Sequence, residues 1–413
     1  MSLLTPYHRL VTSSGLSNLA DGVFQVALPI VTLGVTRDPS AFATVTLALR
    51  LPWLFFALPA GALADRLDRR RTMFLVNLGR AALLGVLALL VATGNETLWL
   101  LCAAAFTLGI GETLFDTAAQ SIMPNVVPAD SLSRANARLY AVELTANQFV
   151  GPPIGGFIAG VAAAAAIAGS AGAYLVAAMV LALIAGSFRP ERAGPPTRIR
   201  HDIVEGVRYL YAHRLLRTLA IIVGVSNLAS TAALTVLPLY AIDPGPMGLS
   251  AAGFGVLLTA GAIGSLGGTF IVPRLERLLG RSRALLVSLV AFTLAEGVPG
   301  VTASAPVIFI AYLVGVGLLG IAWNVITVSL RQRIVPDHLL GRVNAGYRLV
   351  AWGTMPLGAG LGGVIGELLG LRAVFLLAAA AGLSCVPLLL AVVSDRAIAA
   401  AEEAASPVPV GSP

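Results

Sequence analysis

Long apolar segments, separated by short polar ones, dominate the hydropathy pattern of this chain. A transmembrane helix needs about 20 mostly apolar residues, and twelve segments have roughly that length. The pattern therefore predicts an all-α membrane protein with twelve transmembrane helices. The predicted helices lie at 10–34, 40–63, 72–93, 98–122, 135–160, 163–187, 217–241, 250–272, 284–303, 305–329, 343–368 and 372–394.

One longer polar stretch divides these helices into two groups of six. We predict an N-terminal bundle at 1–187, a cytoplasmic linker at 188–216, a C-terminal bundle at 217–396 and a disordered cytoplasmic tail at 397–413. The linker contains an amphipathic helix pattern, which favours a helix lying on the inner membrane surface. The apolar face of that helix comprises Ile203, Val207, Leu210 and Tyr211.

The positions of the basic residues predict the orientation. All 27 are arginine. With the N-terminus inside, 21 lie in cytoplasmic segments and only Arg37 and Arg372 lie on the opposite side. Cytoplasmic loops of membrane proteins carry an excess of basic residues. We therefore expect a multi-pass protein of the bacterial inner membrane, with both termini in the cytoplasm.

Composition excludes several classes of function. The chain is 57% hydrophobic and 11% charged, whereas soluble proteins are about 45–50% apolar and about 25% charged. Its arginines are dispersed, which argues against nucleic-acid binding. It has no lysine for a phosphate-binding loop, no cluster of metal ligands and no nucleophile elbow. We expect a monomer in the lipid bilayer that is not an enzyme and needs no cofactor or metal.

The two halves of the sequence are repeats. The tetrapeptide at 17–20 recurs at 226–229, and the Leu-Pro pair at 28–29 recurs at 237–238, both with a shift of 209. Elements of the segment 127–137 recur at 335–345 with a shift of 208. Six helices have therefore been duplicated. In parallel-repeat carriers the substrate site lies between the halves, near the middle of the bilayer.

The loop after the second predicted helix, residues 61–71, resembles the helix 2–3 signature of the major facilitator superfamily. Together with the six-plus-six helices and the basic linker, it indicates that fold: two pseudo-symmetric six-helix bundles. Asp68 stands where the signature usually has glycine. The resemblance implies a cytoplasmic gate formed by loop residues, and we assign to it Gly61, Asp65, Arg66, Arg70, Asp116, Arg134 and Arg342.

The fifth predicted helix contains a second signature at 151–156. It resembles the antiporter motif of exporter branches of the superfamily, although a kinked packing helix also explains it. Segments at 50–61 and 124–137 resemble enterobactin-exporter-like and macrolide-efflux carriers. The motif residues are Gly151, Pro152, Gly155 and Gly156.

These resemblances imply proton-coupled efflux of a small amphipathic or cationic molecule, such as a drug, a macrolide or a siderophore. Proton-coupled uptake in the same fold is the alternative. A non-transporting receptor or a membrane-embedded enzyme is a third class, but the sequence contains no catalytic constellation that would support it. Many drug–proton antiporters carry arginine in helix 4, where this chain has Glu112 and Asp116 instead. We therefore do not assign to this chain the proton relay that depends on that arginine in those antiporters.

Charged residues inside the predicted helices are the candidate transport residues, because each costs at least about 2.5–3.5 kcal/mol at a helix centre. In the first helix Asn18, Asp21 and Gln25 share one face. Asp21 has no acidic counterpart in the second repeat. We predict that it binds a proton or a substrate cation, or that it pairs with Arg50 or Arg80.

Further polar residues lie in other helices. In helices 4 and 5, Glu112, Glu143 and Asn147 are candidates for either transport or structural pairing. In the second half, two tryptophans and sparse polar groups suit a large, partly apolar ligand. The candidates there are Asn227, Trp323, Asn324 and Trp352.

Overall fold

The computed structural model describes residues 6–64, 67–123, 126–128, 131–186, 188 and 199–405. Regular secondary structure in these ranges is helical, apart from one isolated bridge between Ile242 and Leu249. The helices of the first half are α1 Pro6–Val35, α2 Pro39–Ala64, α3 Arg69–Ala92, α4 Leu98–Ile122, α5 Leu132–Leu144, α6 Gly151–Val161 and α7 Ala163–Ala182.

The linker and the second half continue the helical pattern. Their helices are α8 Ile199–Ala212, α9 Arg214–Ala241, α10 Ala251–Leu279, α11 Arg281–Val301, α12 Ala305–Ala311, α13 Gly320–Ile334, α14 Asp337–Gly353, α15 Met355–Leu369, α16 Leu371–Ser384, α17 Val386–Val392 and α18 Asp395–Ala405.

Eleven helical segments of the described residues are long and apolar enough to cross a membrane. Three of them run through two consecutive helices each: α12 with α13, α14 with α15, and α16 with α17. The predicted fifth span is also helical, from Leu132 to Val161. The first half of this span is polar, because it carries Arg134, Arg138 and Glu143. The predicted all-α membrane fold is confirmed.

The fifth span changes its helical geometry just before its two prolines. A π-helical segment, Thr145–Val150, joins α5 to α6, and the Gly151 amide bonds to the carbonyl of Ala146, five residues earlier. Pro152 and Pro153 have no backbone N–H, so the carbonyls four residues before them lose their α-helical donors. The wider turn is the local response to that loss.

The chain forms two compact units. The first comprises Met1–Ala193 and Thr235–Thr259, and the second comprises Gly194–Leu234 and Ala260–Pro413. In the first unit α1 packs on α6 and α7, α2 on α4, and α3 on α7. In the second, α11 packs on α16 and α8 on α14. The end of α9 and the start of α10 thus belong to the first unit.

The linker contains the expected helix, α8, and protein covers part of its apolar face. Leu210 is fully buried, and Gly206 lies against the backbone of Arg342 in α14 so closely that a Cβ would not fit. Val207 of α8 lies beside Gly346, which is also on α14. The exposed side of α8 includes Tyr211.

The prediction of a disordered tail from residue 397 is wrong for 397–405. These residues belong to α18, whose Ile398 is buried in the core of the second unit. Glu402 accepts a hydrogen bond from Arg281 at 2.6 Å. The alanine-rich segment is a good helix former, and these two contacts hold it against the unit. Residues 406–413 lie outside the described residues.

Candidate functional site

Asp21 and Arg80 meet inside the first unit. Nη1 of Arg80 on α3 lies 3.9 Å from Oδ2 of Asp21 on α1. The Tyr174 hydroxyl on α7 donates a hydrogen bond of 2.5 Å to Oδ1 of Asp21. Of the two arginines predicted as partners, Arg80 therefore pairs with Asp21. Arg50 is half-buried and forms no ion pair with the described residues.

Aromatic rings and a glycine surround the Arg80 guanidinium. Its central carbon lies 5.2 Å from the Tyr174 ring centre and 5.7 Å from that of Phe115. A Cβ on Gly111 of α4 would come within 2.8 Å of the Arg80 Nε, so the glycine makes room for this side chain. None of the three guanidinium nitrogens has a hydrogen-bond partner among the described residues. The charge of Arg80 is therefore stabilised by carboxylates and ring faces.

Three further acids lie near this pair. Glu112 and Asp116 on α4 interact electrostatically with Arg80, and Glu143 on α5 interacts with Asp116. Three of the acids, Asp21, Glu112 and Asp116, thus interact with the Arg80 guanidinium, and Glu143 interacts with one of those three. We call these five residues the acidic cluster.

Hydrogen bonds between buried small residues fix the depth of α1 in the unit. Ser17 Oγ donates to Asn77 Oδ1 on α3 at 3.1 Å. Ser170 Oγ on α7 donates to the carbonyl of Ala20 at 3.1 Å. Both contacts lie within one turn of Asp21. They hold its carboxyl level with the partners from α3 and α7.

The other polar residues predicted on this face of α1 do not join the cluster. Asn18 donates to the carbonyl of Ser14 in its own helix at 3.0 Å, and Gln25 is exposed. Asn147 lies in the π-helical segment, where its backbone carbonyl is packed closely against Gly22 of α1.

The glycines of the 151–156 motif make two close helix contacts. Gly151 packs against Gly22 and Gly155 against Val23, both on α1. On another side of α6, a Cβ on Gly156 would lie 2.5 Å from the carbonyl oxygen of Ala251 at the start of α10. The motif therefore combines a proline-bent helix with backbone contacts to both α1 and α10.

At the contact between α6 and α10, a glycine of α10 also packs against the backbone of α6. Gly255 packs so closely on the carbonyl of Pro152 that a Cβ would overlap it. Each helix thus contributes a glycine where the backbone of the other approaches. Small residues at such crossings allow membrane helices to come this close.

The predicted cytoplasmic gate is described only in part. Asp65 and Arg66 lie outside the described residues, and Gly61 lies in α2 without described surroundings. Arg70 donates to the carbonyl of Ile184, just after α7.

The two repeat-related arginines of the gate differ in their contacts. Arg134 at the start of α5 is exposed and forms no ion pair with the described residues. Arg342 on α14 pairs with Glu205 on α8, with Nη1 and Oε2 2.5 Å apart. In the second unit this arginine therefore joins the linker helix to the membrane helices.

The candidate residues of the second unit differ in their contacts and in their burial. Asn227 donates to a backbone carbonyl of α14 at 2.6 Å, and Trp323 packs against the apolar core. Asn324 and Trp352 are exposed. The guanidinium carbon of Arg348 lies 5.3 Å from the Trp352 ring centre, so a cation already occupies one face of that ring.

Sequence reasoning missed the structural role of Asp68. Its Oδ1 accepts a hydrogen bond from the Arg71 amide at 2.9 Å, which caps the N-terminus of α3. Its Oδ2 accepts another from the Phe188 amide at 2.8 Å. An aspartate directly before a helix is the signal that could have identified this cap.

Two residues with polar contacts in the membrane spans were also missed. Tyr174 gives no distinctive signal in the sequence, because an aromatic residue in an apolar segment usually indicates packing. Glu296 on α11 is 5% exposed and accepts a hydrogen bond from Ser230 on α9. A single acid in the apolar segment 284–303 was the available signal.

Comparisons with known proteins identify the family. A family model described as transmembrane secretion effector matches residues 5–410. Mycobacterium tuberculosis has a relative named multidrug efflux pump Tap, 30% identical over 370 residues that cover 86% of each chain. The protein of that name from Mycolicibacterium fortuitum is 28% identical over 373 residues, or 86% of this chain and 88% of the relative.

A solved structure shows the same fold. A bacterial homologue of the iron transporter ferroportin, in an inward-facing state, has a TM-score of 0.73 at 17% identity. The match covers 95% of this chain and 99% of that one. The predicted superfamily is confirmed. The chain belongs to the transmembrane secretion effector family of the major facilitator superfamily.

Proposed function

We propose that this transporter exports a small amphipathic or cationic molecule, such as a drug, a macrolide or a siderophore, and that inward movement of protons drives the export. Two relatives named multidrug efflux pumps support the direction and the class of cargo. The 151–156 motif supports the same direction, since it resembles an exporter element. The observation that carries the coupling is the contact of Asp21 with Arg80 and Tyr174 inside the first unit.

Asp21 is the proposed site of proton entry because it is the more accessible partner. Its side chain is 26% exposed, against 3% for that of Arg80. When a proton binds, an O–H bond forms on the carboxylate, whose charge is lost. Arg80 keeps its own charge, since a guanidinium stays protonated in proteins. The attraction between α1 and α3 therefore weakens.

The remaining acids then balance Arg80 from α4. Glu112 and Asp116 interact with its guanidinium, so protonation of Asp21 shifts the balance of attraction on α3 from α1 towards α4. A ligand moves a conformational equilibrium only through its different affinity for the two states. The proton acts as such a ligand if the distance between Asp21 and Arg80 differs between the inward-facing and outward-facing states.

The proposal includes an orientation and a set of ligands. We place the protein in the bacterial inner membrane with both termini in the cytoplasm, on the distribution of its arginines. It acts as a monomer, binds protons and one small-molecule cargo, and carries out no chemical step. The residues proposed to contact the cargo in the second unit are Asn227, Trp323, Asn324 and Trp352.

Transport into everted membrane vesicles tests the proposal. Ethidium serves as a fluorescent lipophilic cation, and vesicles are energised to be acidic inside. We expect wild-type vesicles to take up ethidium and a protonophore to abolish the uptake. Asp21→Asn, which cannot exchange a proton, is expected to lose the protonophore-sensitive part. Glu367→Gln is the matched control, since Glu367 is an exposed acid of another helix.

The possible results separate the alternatives. Unchanged transport and pH dependence in Asp21→Asn would remove Asp21 from the mechanism. Transport in the opposite direction, in vesicles of known orientation, would favour uptake by symport. A panel of other cationic and amphipathic compounds, including a macrolide and a siderophore, extends the assay. Failure to move any of them would contradict the export proposal.

A further inference from the structure

The second unit buries a carboxyl group that has no part in the mechanism described above. Glu296 lies on α11, and only 5% of the residue is exposed. Its chain neighbour Gly297 faces Ala379 of α16, where a Cβ would lie 2.8 Å from the alanine methyl. Ala295 packs against Gly315 of the π-helical segment Tyr312–Leu319. Neighbouring helices therefore pack closely against α11 on both sides of Glu296 in the chain.

Two residues with hydroxyl groups, Ser230 and Tyr312, interact with Glu296 among the described residues. Ser230 Oγ on α9 donates a hydrogen bond to its Oε1. Tyr312, 4% exposed, interacts with it electrostatically and is its titratable neighbour. No arginine or histidine of the described residues forms an ion pair with Glu296 or interacts with it electrostatically. A carboxylate left ionised at such a site carries a large free-energy penalty, so the neutral acid is the favoured form.

The repeat relationship places this contact where the first unit has its ion pair. Ser230 is the counterpart of Asp21 at the shift of 209. In each unit the first helix of the repeat therefore makes a polar contact with the third. In the first unit the acid is on the first helix and has a cation. In the second unit the acid is on the third helix, and its partner is a neutral hydroxyl.

We propose that Glu296 is a proton-binding site of the second unit. It holds a proton while Ser230 donates to it, and it releases that proton when α9 moves away from α11 and water reaches the carboxyl group. In that step the O–H bond breaks, the electron pair stays on the carboxylate and the proton passes to water. The inference deepens, and rests on, the proposed proton-coupled export.

Infrared spectroscopy of the purified full-length protein tests the protonation directly. At neutral pH, we expect the wild-type-minus-Glu296→Gln difference spectrum to show the C=O band of one protonated carboxyl group. The Glu367→Gln difference spectrum should lack that band. Ser230→Ala should move the band to higher frequency, because the C=O group loses a hydrogen bond. Carboxylate bands in place of the C=O band in the Glu296→Gln difference would overturn the proposal.

Transport measurements separate this inference from the function on which it rests. With ethidium in energised vesicles, we expect Glu296→Gln to lose part of the pH dependence of transport, and Glu367→Gln to keep all of it. If wild-type transport is protonophore-sensitive and Glu296→Gln keeps the full pH dependence, release from Glu296 is excluded while proton-coupled export stands. If the wild type moves no ethidium in response to protons, the export proposal fails, and the infrared band still reports whether Glu296 binds a proton.

Discussion

Oδ2 of Asp68 accepts a hydrogen bond of 2.8 Å from the backbone amide of Phe188. The same carboxylate caps α3 through its other oxygen. One side chain thus joins the start of α3 to the chain that follows α7. The superfamily signature usually has glycine at this position, and glycine has no side chain that could make either contact.

The double contact of Asp68 predicts a loss of stability on truncation. Asp68→Ala should lower the free energy of unfolding by about 1 kcal/mol through the lost cap, and by a further amount through the unpaired Phe188 amide. Asp68→Asn should retain most of the stability, because asparagine caps helices well. Thermal unfolding in detergent measures both variants. Equal stability of Asp68→Ala and the wild type would show that neither hydrogen bond matters.

The buried pair in the first unit predicts coupled effects. Arg80→Met should destabilise the protein by up to about 3–5 kcal/mol, since it removes a buried cation and leaves the half-buried carboxylate of Asp21 without its partner. Adding Asp21→Asn should restore part of this loss, with an interaction energy of about 0.5–3 kcal/mol. Denaturant unfolding of the wild type, both single variants and the double variant gives that energy. Strict additivity would mean that the two side chains do not interact.

The crossing of α6 and α10 predicts that an added methyl group impairs transport. A Cβ on Gly156 would lie 2.5 Å from the Ala251 carbonyl oxygen, so Gly156→Ala must push the helices apart. Gly160→Ala is the matched control, since its Cβ would make an ordinary contact of 3.6 Å. Ethidium transport should fall in the first variant alone, at equal protein levels. Equal transport by the two variants would show that transport does not depend on the close contact between α6 and α10.

Asp395 predicts a pH dependence of stability. A hydrogen bond of 3.0 Å from the Ser282 amide at the start of α11 lowers the pKa of Asp395 below its ordinary value of 3.8. A carboxyl group whose pKa is lower in the folded protein adds stability above its unfolded pKa. That contribution is lost as the pH falls through the folded value.

The difference in melting temperature between the wild type and Asp395→Asn should therefore be constant at neutral pH. It should shrink below pH 3.8, where the carboxylate of the wild type becomes protonated. Glu403→Gln, an exposed acid on the same helix, should show no such trend. A difference that does not change with pH would exclude the charged form of Asp395 as the stabilising species.

The sequence predicted the membrane helices well because their signal is local. Helix α2, expected at 40–63, is Pro39–Ala64, since apolar length alone determines such a span. The tail was mispredicted because the helix Asp395–Ala405 depends on contacts with distant residues, among them Arg281. A hydropathy pattern reflects only neighbouring residues in the sequence, so it does not predict contacts between residues that are far apart in the chain.

The sequence predicted which charged residues belong to the candidate site better than it predicted which residues contact them. Asp21 stood out as a charge in an apolar segment, and Arg80 was one of two possible partners. Tyr174 and Ser230 did not stand out, because hydroxyl groups are common in membrane helices and acquire meaning only beside an acid. In the sequence Asp68 is only a departure from a signature, whereas its hydrogen bonds in the structure identify it as a helix cap.

The crossing of α6 and α10 differs in kind from the apolar cores of the two units. Main-chain atoms of Gly156 and Gly255 meet main-chain atoms of the opposite helix, so the nearest contacts at these points involve no rotatable side chain. Two such surfaces can part and rejoin without any rotamer having to change. Frequent cycling between conformations is therefore compatible with a contact this close.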